Sequence, residues 1–138
     1  MAEVVYDQKE RIGAWVAEKV GQRCSWGDFY AMGIVSGDDV IAGVVFHNFN
    51  GANAVCHVAV GKTTKKLVEL LRAGCDYAFN HCKLKRLTGM VPTNEPAVIA
   101  FDKNIGFEEE FVMKDGAPGA DMQVLVMWPE NCRWLRKE

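Results

Sequence analysis

A segment with the composition of a β-strand is followed closely by five consecutive residues that could bind an anion. They are Lys62, Thr63, Thr64, Lys65 and Lys66. A helix is predicted to begin near Thr63, and the free N–H groups and the dipole of a helix N-terminus attract negative charge. The hydroxyl groups can cap the helix or donate to phosphate. The pattern predicts a pyrophosphate site, and a solvated lysine face on the helix is the alternative.

Gly61-Lys62-Thr63 also copies the end of the nucleotide-binding loop G-x-x-x-x-G-K-S/T. That loop needs a glycine five residues before Gly61, because its backbone N–H groups must surround the phosphates. Cys56 occupies this position. We therefore regard nucleotide binding as the weakest functional hypothesis, which magnesium-dependent binding of ATP would revive.

Histidine is the second residue type here with useful chemistry near neutral pH. His57 lies within the predicted strand Ala54–Val60, and its ordinary pKa range suits removal of a proton from an ammonium group, directly or through water. A histidine whose hydrogen bonds are satisfied within the sheet or the core is the alternative. His47, on the preceding strand, is a weaker candidate for the same role.

The elements that would position these residues are clearest in the segment 86–107. Its first residues are β-favouring and mostly apolar, so they predict a strand, which a proline ends. A helix is predicted next, with Thr93 or Asn94 as its cap, Pro96 in its first turn and Gly106 at its left-handed end. The segment therefore predicts a strand, a helix and the start of another strand.

The rest of the chain predicts a short strand, a helix and three antiparallel strands, then a long helix and a final hairpin. The first helix, about Gln8–Val20, would be capped by Asp7 and ended by Gly21. The whole order is β-α-βββ-α-β-α-ββ. The other segments are the strands Val4–Tyr6, Tyr30–Ser36, Val40–Asn48, Ala54–Val60, Glu109–Lys114 and Met122–Trp128, a helix from about Thr63 to Cys82, and turns at 37–39, 50–51 and 115–119.

Two patterns in this chain resemble the GNAT superfamily of N-acetyltransferases. Asn94…Gly106-Phe107, placed after a strand, is similar to the N…A…(F/Y)…GF signature, and Tyr77-Ala78-Phe79-Asn80 resembles the Y-x-F-N of a phage and bacterial branch. The resemblance covers about Ala54 to Phe111. It implies a single GNAT-like domain of the α/β (α+β) class, with a mixed, mostly antiparallel sheet and helices on both faces.

The resemblance also implies where acyl-CoA would bind. The strands Ala54–Val60 and Arg86–Val91 would be a central parallel pair that splays apart to admit it. Backbone groups of the first strand would bind the pantetheine amides, and the loop 62–66 would bind the pyrophosphate. The predicted contacts besides that loop are Val58, Ala59, Val60, Asn94 and Phe101.

Three features of the superfamily's usual site are missing from this chain. The phosphate-loop pattern Q/R-x-x-G-x-G/A aligns with residues 63–68, which contain no glycine. The strand position that often carries a carboxylate base is Ala54. The helix position that often carries a tyrosine acid is Asp102, with Phe101 beside it. We expect Asp102 to be a surface or capping carboxylate; the alternative is an acid for the thiol, which would require a raised pKa. His57 is therefore the predicted base, and no dedicated acid is predicted.

The side of the site that receives the acceptor would be built from the first helix, residues 21–30 and the loop 115–119. The acidic run 108–110 is typical of a solvated surface, although it could attract a cationic amine. The tail 128–137 could cover the sheet or contact a second subunit, so a homodimer is left open. Candidates for an aromatic lining, with core packing as the alternative, are Trp26, Phe29 and Tyr30.

Composition excludes several other classes of protein. The chain has 138 residues, 49% of them hydrophobic, and a net charge of −2, which is typical of one globular domain and not of a nucleic-acid binder. It has no apolar run long enough to span a membrane and no signal peptide, so we expect a cytoplasmic protein. The chain has 5 cysteines, an odd number, and no C-x-x-C motif. This pattern predicts cysteines packed in the core rather than disulfides or a metal site.

The favoured function is transfer of an acyl group, typically acetyl, from acyl-CoA to an amine that attacks the thioester directly in a ternary complex. The sequence does not identify the acceptor, which could be a small molecule or a protein. The alternative is a GNAT-fold binding protein that has lost catalysis, for example one encoded by a phage. Binding of CoA without turnover would distinguish this alternative from the enzyme.

Overall fold

The computed structural model describes residues 1–135, which form a seven-stranded sheet and three α-helices. The predicted order of strands and helices is confirmed. The strands are β1 (Ala2–Val5), β2 (Phe29–Ser36), β3 (Asp39–His47), β4 (Asn53–Val60), β5 (Arg86–Pro92), β6 (Glu108–Ala117) and β7 (Ala120–Met127). The helices are α1 (Lys9–Val20), α2 (Leu67–Cys75) and α3 (Pro96–Ile105), and a π-helical turn at Asp76–His81 and a 3-10 turn at Pro129–Asn131 follow α2 and β7.

The sheet has the order β1-β2-β3-β4-β5-β7-β6, and every neighbouring pair is antiparallel except β4 and β5. These two central strands pair only over Asn53–Val55 and Arg86–Thr88. Beyond that point they separate, since β4 continues along β3 while β5 continues along β7. The predicted central parallel pair that splays apart is confirmed.

Helices cover both faces of the sheet, as predicted. On one face α1 lies over β2, β3 and β4. It approaches closely because the strand opposite carries a glycine: a Cβ on Gly43 would lie 2.6 Å from the Val16 side chain. On the other face α2 and α3 enclose the larger core, whose centre includes Phe46, Leu70 and Leu125, each at most 1% exposed.

Two helices begin differently from the prediction, although their ends are confirmed. The residues before α1 and α3 are Gln8 and Glu95, and neither makes a side-chain capping hydrogen bond. Before α3 the N–H of Glu95 donates to the Pro92 carbonyl, so the predicted cap residues lie in a separate turn. Gly21 and Gly106 end their helices with φ of 75° and 123°. The predicted caps that are wrong are Asp7, Thr93 and Asn94.

The predicted long helix begins later, at Leu67, because Thr64 forms a turn before it. The Thr64 carbonyl accepts from the N–H of Leu67 at 3.3 Å, and its hydroxyl accepts from the N–H of Lys66 at 3.2 Å. Residues 63–66 therefore lie in a loop rather than in the first helical turn. The same helix ends in the π-helical turn, where Tyr77 is partly buried against the core.

The hairpin and the tail at the end of the chain also differ from the prediction. The strand β6 continues to Ala117, because Asp115 adopts a φ of 55° and donates its N–H to Asp121, which keeps this bulged segment beside β7. In the tail, Trp134 donates from Nε1 to the Ile105 carbonyl at 2.6 Å and packs against the core. Residues up to 135 thus cover the sheet, one of the two predicted roles, while Arg136 and Lys137 lie outside the described residues.

Among residues 1–135 no helix is both long enough and apolar enough to cross a membrane.

Candidate active site

A cavity of about 670 Å³ opens where β4 and β5 separate. Residues 55–60 of β4 form one wall, and residues 90–92 of β5 form another. The cavity reaches the end of α1 at residues 19–22 and the inner side of α3 at residues 97–102. Because α1 and α3 lie on opposite faces of the sheet, the opening joins these two faces.

Two histidines stand on the α1 side of this cavity. The register of β3 and β4 sets Val45 opposite His57 and His47 opposite Val55, so the two imidazoles are diagonal neighbours on one face. Their Nε2 atoms lie 3.1 Å apart. For these atoms to form a hydrogen bond, one imidazole must carry its proton on Nε2 while the other presents a bare Nε2.

Trp26 packs against this pair of histidines. Its ring centroid lies 4.8 Å from that of His47 and 5.1 Å from that of His57, and its Nε1 donates to the Gly13 carbonyl at 2.9 Å. Burial lowers the pKa of His47. Burial, and secondly the neighbouring His47, lowers the pKa of His57 to about 4. Both imidazoles are therefore neutral at pH 7.

A carboxyl group lies on the α3 side of the same cavity. Asp102 lines the cavity and is only 8% exposed. Burial raises the pKa of its carboxyl to about 7, so both protonation states exist near neutral pH. Burial, and secondly the charge of Asp102, raises the pKa of the thiol of Cys56, a residue of β4 that also lines the cavity.

The expectation that Asp102 is a surface or capping carboxylate is therefore wrong. The sequence contains a signal that could have revealed its burial. Asp102 follows Val98 by four residues and precedes Ile105 by three, so it lies on the apolar stripe of α3. A polar residue on such a stripe faces the interior of the protein, and at the position of Asp102 along α3 that interior is the cavity.

The structure brings some of the predicted site residues into the cavity and leaves others outside its lining. His57 is part of the lining, together with Val58, Ala59, Val60 and Phe101. Asn94 is exposed in the turn before α3 and is not part of it. The loop that directly follows β4 is also outside the lining; its predicted contacts are Lys62, Thr63, Thr64, Lys65 and Lys66.

That loop is anchored at its start and positively charged along its length. The N–H groups of Gly61 and Lys62 donate to the Ile41 carbonyl of β3 at 2.9 and 3.2 Å. All three lysines of the loop are exposed. The Lys66 ammonium lies 3.5 Å from the Glu69 carboxylate, a salt bridge on an exposed surface. The loop therefore presents cationic side chains just beyond the end of the cavity wall.

The residues expected to build the acceptor side have different positions, and their contact with an acceptor stays a prediction. Residues 19–22 and Pro118, from the end of the first helix and the hairpin loop, line the cavity together with Met122 of β7. The aromatic residues take the alternative role of core packing. Tyr30 lies on the other face, with its ring 4.4 Å from that of Tyr77, and Phe29 packs beside Trp26 in the smaller core.

Comparison with known proteins supports the architecture. No family model matches this chain, and no curated protein matches it in sequence. A solved mutant of the spermidine N-acetyltransferase SpeG from Vibrio cholerae aligns with a TM-score of 0.73 and 10% identity over 94% of both chains. A dodecameric structure of spermidine N-acetyltransferase from Vibrio cholerae in an intermediate state aligns with a TM-score of 0.71 and 11% identity, again over 94% of both chains.

A third structure, spermidine N-acetyltransferase from Vibrio cholerae in complex with CoA and spermine, aligns with a TM-score of 0.67 and 11% identity. The alignment covers 94% of this chain and 96% of that chain. At such low identities the likeness concerns the fold. The strand order, the parallel β4–β5 pair that splays apart and these alignments together show that the chain has the GNAT fold.

Proposed function

We propose that this protein is an N-acyltransferase that moves an acyl group, typically acetyl, from acyl-CoA to an amine. The observation that carries the proposal is the cavity between the splayed strands, which brings unpaired backbone, two neutral imidazoles and a buried carboxyl to one space. The structural neighbours support it, since one of them is an N-acetyltransferase in complex with CoA and spermine. The acceptor of this chain is a small amine or a protein amine, and the cytoplasm is its expected compartment.

The strand β4 offers a surface for an extended ligand. Past Val55 its edge toward β5 has no strand partner, so backbone N–H and C=O groups there are available for hydrogen bonds. The pantetheine arm carries two amides on a flexible chain and can bind such an edge as a neighbouring strand would. In this proposal Val58, Ala59 and Val60 bind the arm, and Phe101 provides an apolar wall on the α3 side.

The loop after β4 would bind the pyrophosphate mainly through side chains. Residues 63–68 contain no glycine, so close approach of backbone N–H groups is restricted, and exposed lysines and threonine hydroxyls take their place. Asn94, across the opening before α3, would contact the CoA arm. Binding that relies on exposed charges is screened by salt, so we expect the affinity for acyl-CoA to fall as ionic strength rises.

The chemistry needs one proton removed from the amine and one delivered to sulfur. The amine nitrogen attacks the thioester carbonyl carbon, so the C–N bond forms and the C–S bond breaks with release of the thiolate. His57 takes the ammonium proton, directly or through an ordered water, while His47 fixes its orientation through the Nε2 contact. Asp102, protonated in part near neutral pH, delivers a proton to the sulfur from the α3 side.

The low pKa of His57 shapes this proposal. An imidazole with a pKa of about 4 is unprotonated at pH 7 and can therefore accept a proton, but it is a weak base and releases that proton rapidly. It must therefore pass the proton on to water at the cavity mouth. The rate is expected to level off above pH 5 on the side of the base and to fall above pH 7, where Asp102 loses its proton.

The first test is the melting temperature of the protein with and without acetyl-CoA. Acetyl-CoA at a hundredfold over its Kd should add about 2.7 kcal/mol to the free energy of unfolding. For a domain of this size that is on the order of 5–15 °C, with ATP and magnesium as the control for nucleotide binding. Release of the CoA thiol in the presence of a panel of amines then measures turnover.

Three outcomes separate the hypotheses. A shift with acetyl-CoA and thiol release with an amine would support the acyltransferase. A shift without turnover on any amine would favour the alternative, a GNAT-fold binding protein that has lost catalysis, for which the missing glycines and tyrosine are the motivation. No shift at millimolar acetyl-CoA would contradict the proposal. The assignment to a phage and bacterial branch rests on Tyr77–Asn80 alone and stays a prediction.

A further inference from the structure

A second, smaller pocket of about 20 Å³ lies beside the cavity, between α2 and the end of α3. Cys56 and Val58 of β4 line both spaces, so the cavity and the pocket share a wall. On α3 the pocket is lined by Ile105, which follows Asp102 by three residues and therefore lies about one helical turn further along the same face. The pocket is thus adjacent to the part of the cavity where the thioester would react.

The lining of this pocket is apolar. Apart from Gly74 it consists of aliphatic, aromatic and sulfur-containing side chains, and among residues 1–135 it includes no Asp, Glu, Lys, Arg or His. The indole of Trp134 already donates its N–H to the Ile105 carbonyl. A space of this volume holds about one water-sized group, and a water molecule there would lack the polar partners that it needs. The pocket therefore favours a hydrocarbon group of about one or two carbons.

Gly74 leaves part of this space open. It lies inside α2, where glycine is less favourable than alanine. Neither the backbone nor close packing requires a glycine, because its φ is not positive and a Cβ there would make an ordinary contact of 3.5 Å with Cζ of Phe46. At Gly13 of α1, by contrast, a Cβ would lie 2.7 Å from the Phe29 ring. The missing side chain of Gly74 therefore has its effect in the pocket.

We propose that this pocket binds the end of the acyl chain, so that the preferred donor is propionyl-CoA or butyryl-CoA rather than acetyl-CoA. This proposal rests on the proposed function and names its acyl donor. The acyl chain is the occupant because it is the apolar group that continues from the thioester, and the thioester would lie beside Cys56 when Asp102 delivers its proton to the sulfur. The pantetheine amides and the acceptor amine are polar and would lose hydrogen bonds in this pocket.

The affinities of the protein for a series of acyl-CoA donors test this subsite. Without an acceptor amine no acyl group is transferred, so titration calorimetry measures binding alone. Each carbon that moves from water into the pocket should tighten binding about fourfold. We therefore expect Kd to fall from acetyl-CoA to propionyl-CoA and butyryl-CoA, and not to fall further at octanoyl-CoA, for which the pocket is too small.

The outcomes of this series separate the inference from the function on which it rests. Equal affinities for acetyl-CoA and propionyl-CoA, or a gain that continues to octanoyl-CoA, would overturn the acyl subsite and leave the proposed function standing. Absence of binding by every donor in the series would contradict both.

Gly74→Ala tests the pocket by placing a methyl group in it. This variant should lose the preference for propionyl-CoA, while its affinity for acetyl-CoA stays within about twofold of that of the wild type. Because alanine favours the helix, its melting temperature should not fall, which confirms that the variant is folded. A folded Gly74→Ala variant that keeps the wild-type preference would exclude this pocket as the acyl subsite.

Val44→Ala should act in the opposite direction. Val44 lines the pocket but not the cavity, so loss of its methyl groups enlarges the pocket and should shift the tightest binding toward a longer chain, such as hexanoyl-CoA. The matched control is Val45→Ala, at the next residue of β3, which is also buried but packs in the smaller core on the α1 face. Both variants lose core packing, so the readout is the preference among donors and not the melting temperature. Equal changes of preference in the two variants would overturn the proposal.

Discussion

Burial shifts the pKa values of the ionisable groups on the two sides of the central opening in opposite directions. On the α1 side, His47 and His57 contact each other beneath Trp26, and burial lowers the pKa of His57 to about 4. On the α3 side, Asp102 stands in the cavity wall, and burial raises the pKa of its carboxyl to about 7. The ordinary pKa values of these groups are 6.5 and 3.8, so their order is reversed here.

This difference arises from one physical cause acting on two kinds of group. Removal from water disfavours the charged form, and the charged form of histidine has an extra proton, whereas that of aspartate lacks one. The pKa values therefore move past each other. Between pH 4 and pH 7 the opening holds a neutral base on one side and a neutral acid on the other, which is the arrangement that transfer of protons in both directions requires.

Replacement of Asp102 should have the largest effect on stability. Because its folded pKa is raised, the contribution of the protonated carboxyl to stability is full below about pH 4 and is lost as the pH rises through about 7. Asp102→Asn removes this loss. The free energy of unfolding of the variant, relative to that of the wild type, should therefore increase by about 4 kcal/mol between pH 4 and pH 8. Urea unfolding at several pH values measures it, with Asp38→Asn in an exposed turn as the control. A constant difference across this range would contradict the burial of Asp102.

Replacement of His57 should have a smaller effect with the opposite dependence on pH. Its folded pKa is lowered, so the contribution of the neutral imidazole is full above about pH 6.5 and is lost as the pH falls through about 4. The stability of His57→Gln relative to the wild type should therefore rise by about 3 kcal/mol from pH 8 to pH 4. The same unfolding series measures this change, and His81→Gln, at an exposed histidine on the other face, is the matched control.

The proposed acyl transfer gives the third prediction. Loss of the base in His57→Gln should lower kcat/KM by about 100-fold, or about 2.7 kcal/mol, while binding of acetyl-CoA changes little. Asp102→Asn should reduce kcat less, because a thiolate is a good leaving group, and should abolish the fall in rate above pH 7. Rates of thiol release across pH 5–9 measure both. Unchanged kinetics in both variants would mean that the two sides of the opening do not share a reaction.

The smallest effect is expected at the loop beyond the cavity. The double substitution Lys65→Ala with Lys66→Ala should lower the affinity for acetyl-CoA by about tenfold, or about 1.4 kcal/mol. Because both lysines are exposed, the unliganded variant should be nearly as stable as the wild type. Titration calorimetry at low and high salt measures this. A matched pair elsewhere, Lys9→Ala with Lys85→Ala, should leave the affinity unaltered, and equal losses in the two pairs would argue for a general charge effect.

Much of the fold was predictable because its signals are local. Apolar runs, the prolines, and Gly21 and Gly106 at helix ends place the elements within a few residues of their observed bounds. The caps were mispredicted because backbone hydrogen bonds, such as that from Glu95 to Pro92, form turns that compete with side-chain capping. The outcome of this competition depends on the position of the flanking strand, here the end of β5 at Pro92, and not on the type of the cap residue.

The site was predictable only where one element carries it. His57 and the β4 backbone follow from the strand pattern, because residues of one strand share their position in the sheet. The contact of His57 with His47 does not, since it depends on the register between β3 and β4. Asp102 was expected at the surface because aspartate is usually exposed; its position on the apolar stripe of α3 indicates burial, but only the packing of α3 shows that the stripe faces the cavity there.

The sequence by itself determined the order of the elements and the cationic segment after β4, because these depend on neighbouring residues, while the parallel pair was implied only by the resemblance to GNAT enzymes. Only the tertiary structure decided that an imidazole pair and a carboxyl meet across one opening and exchange the order of their pKa values. The physical reason is that burial and strand register are properties of segments distant in the chain, and the free energy of a charge depends on all of its surroundings.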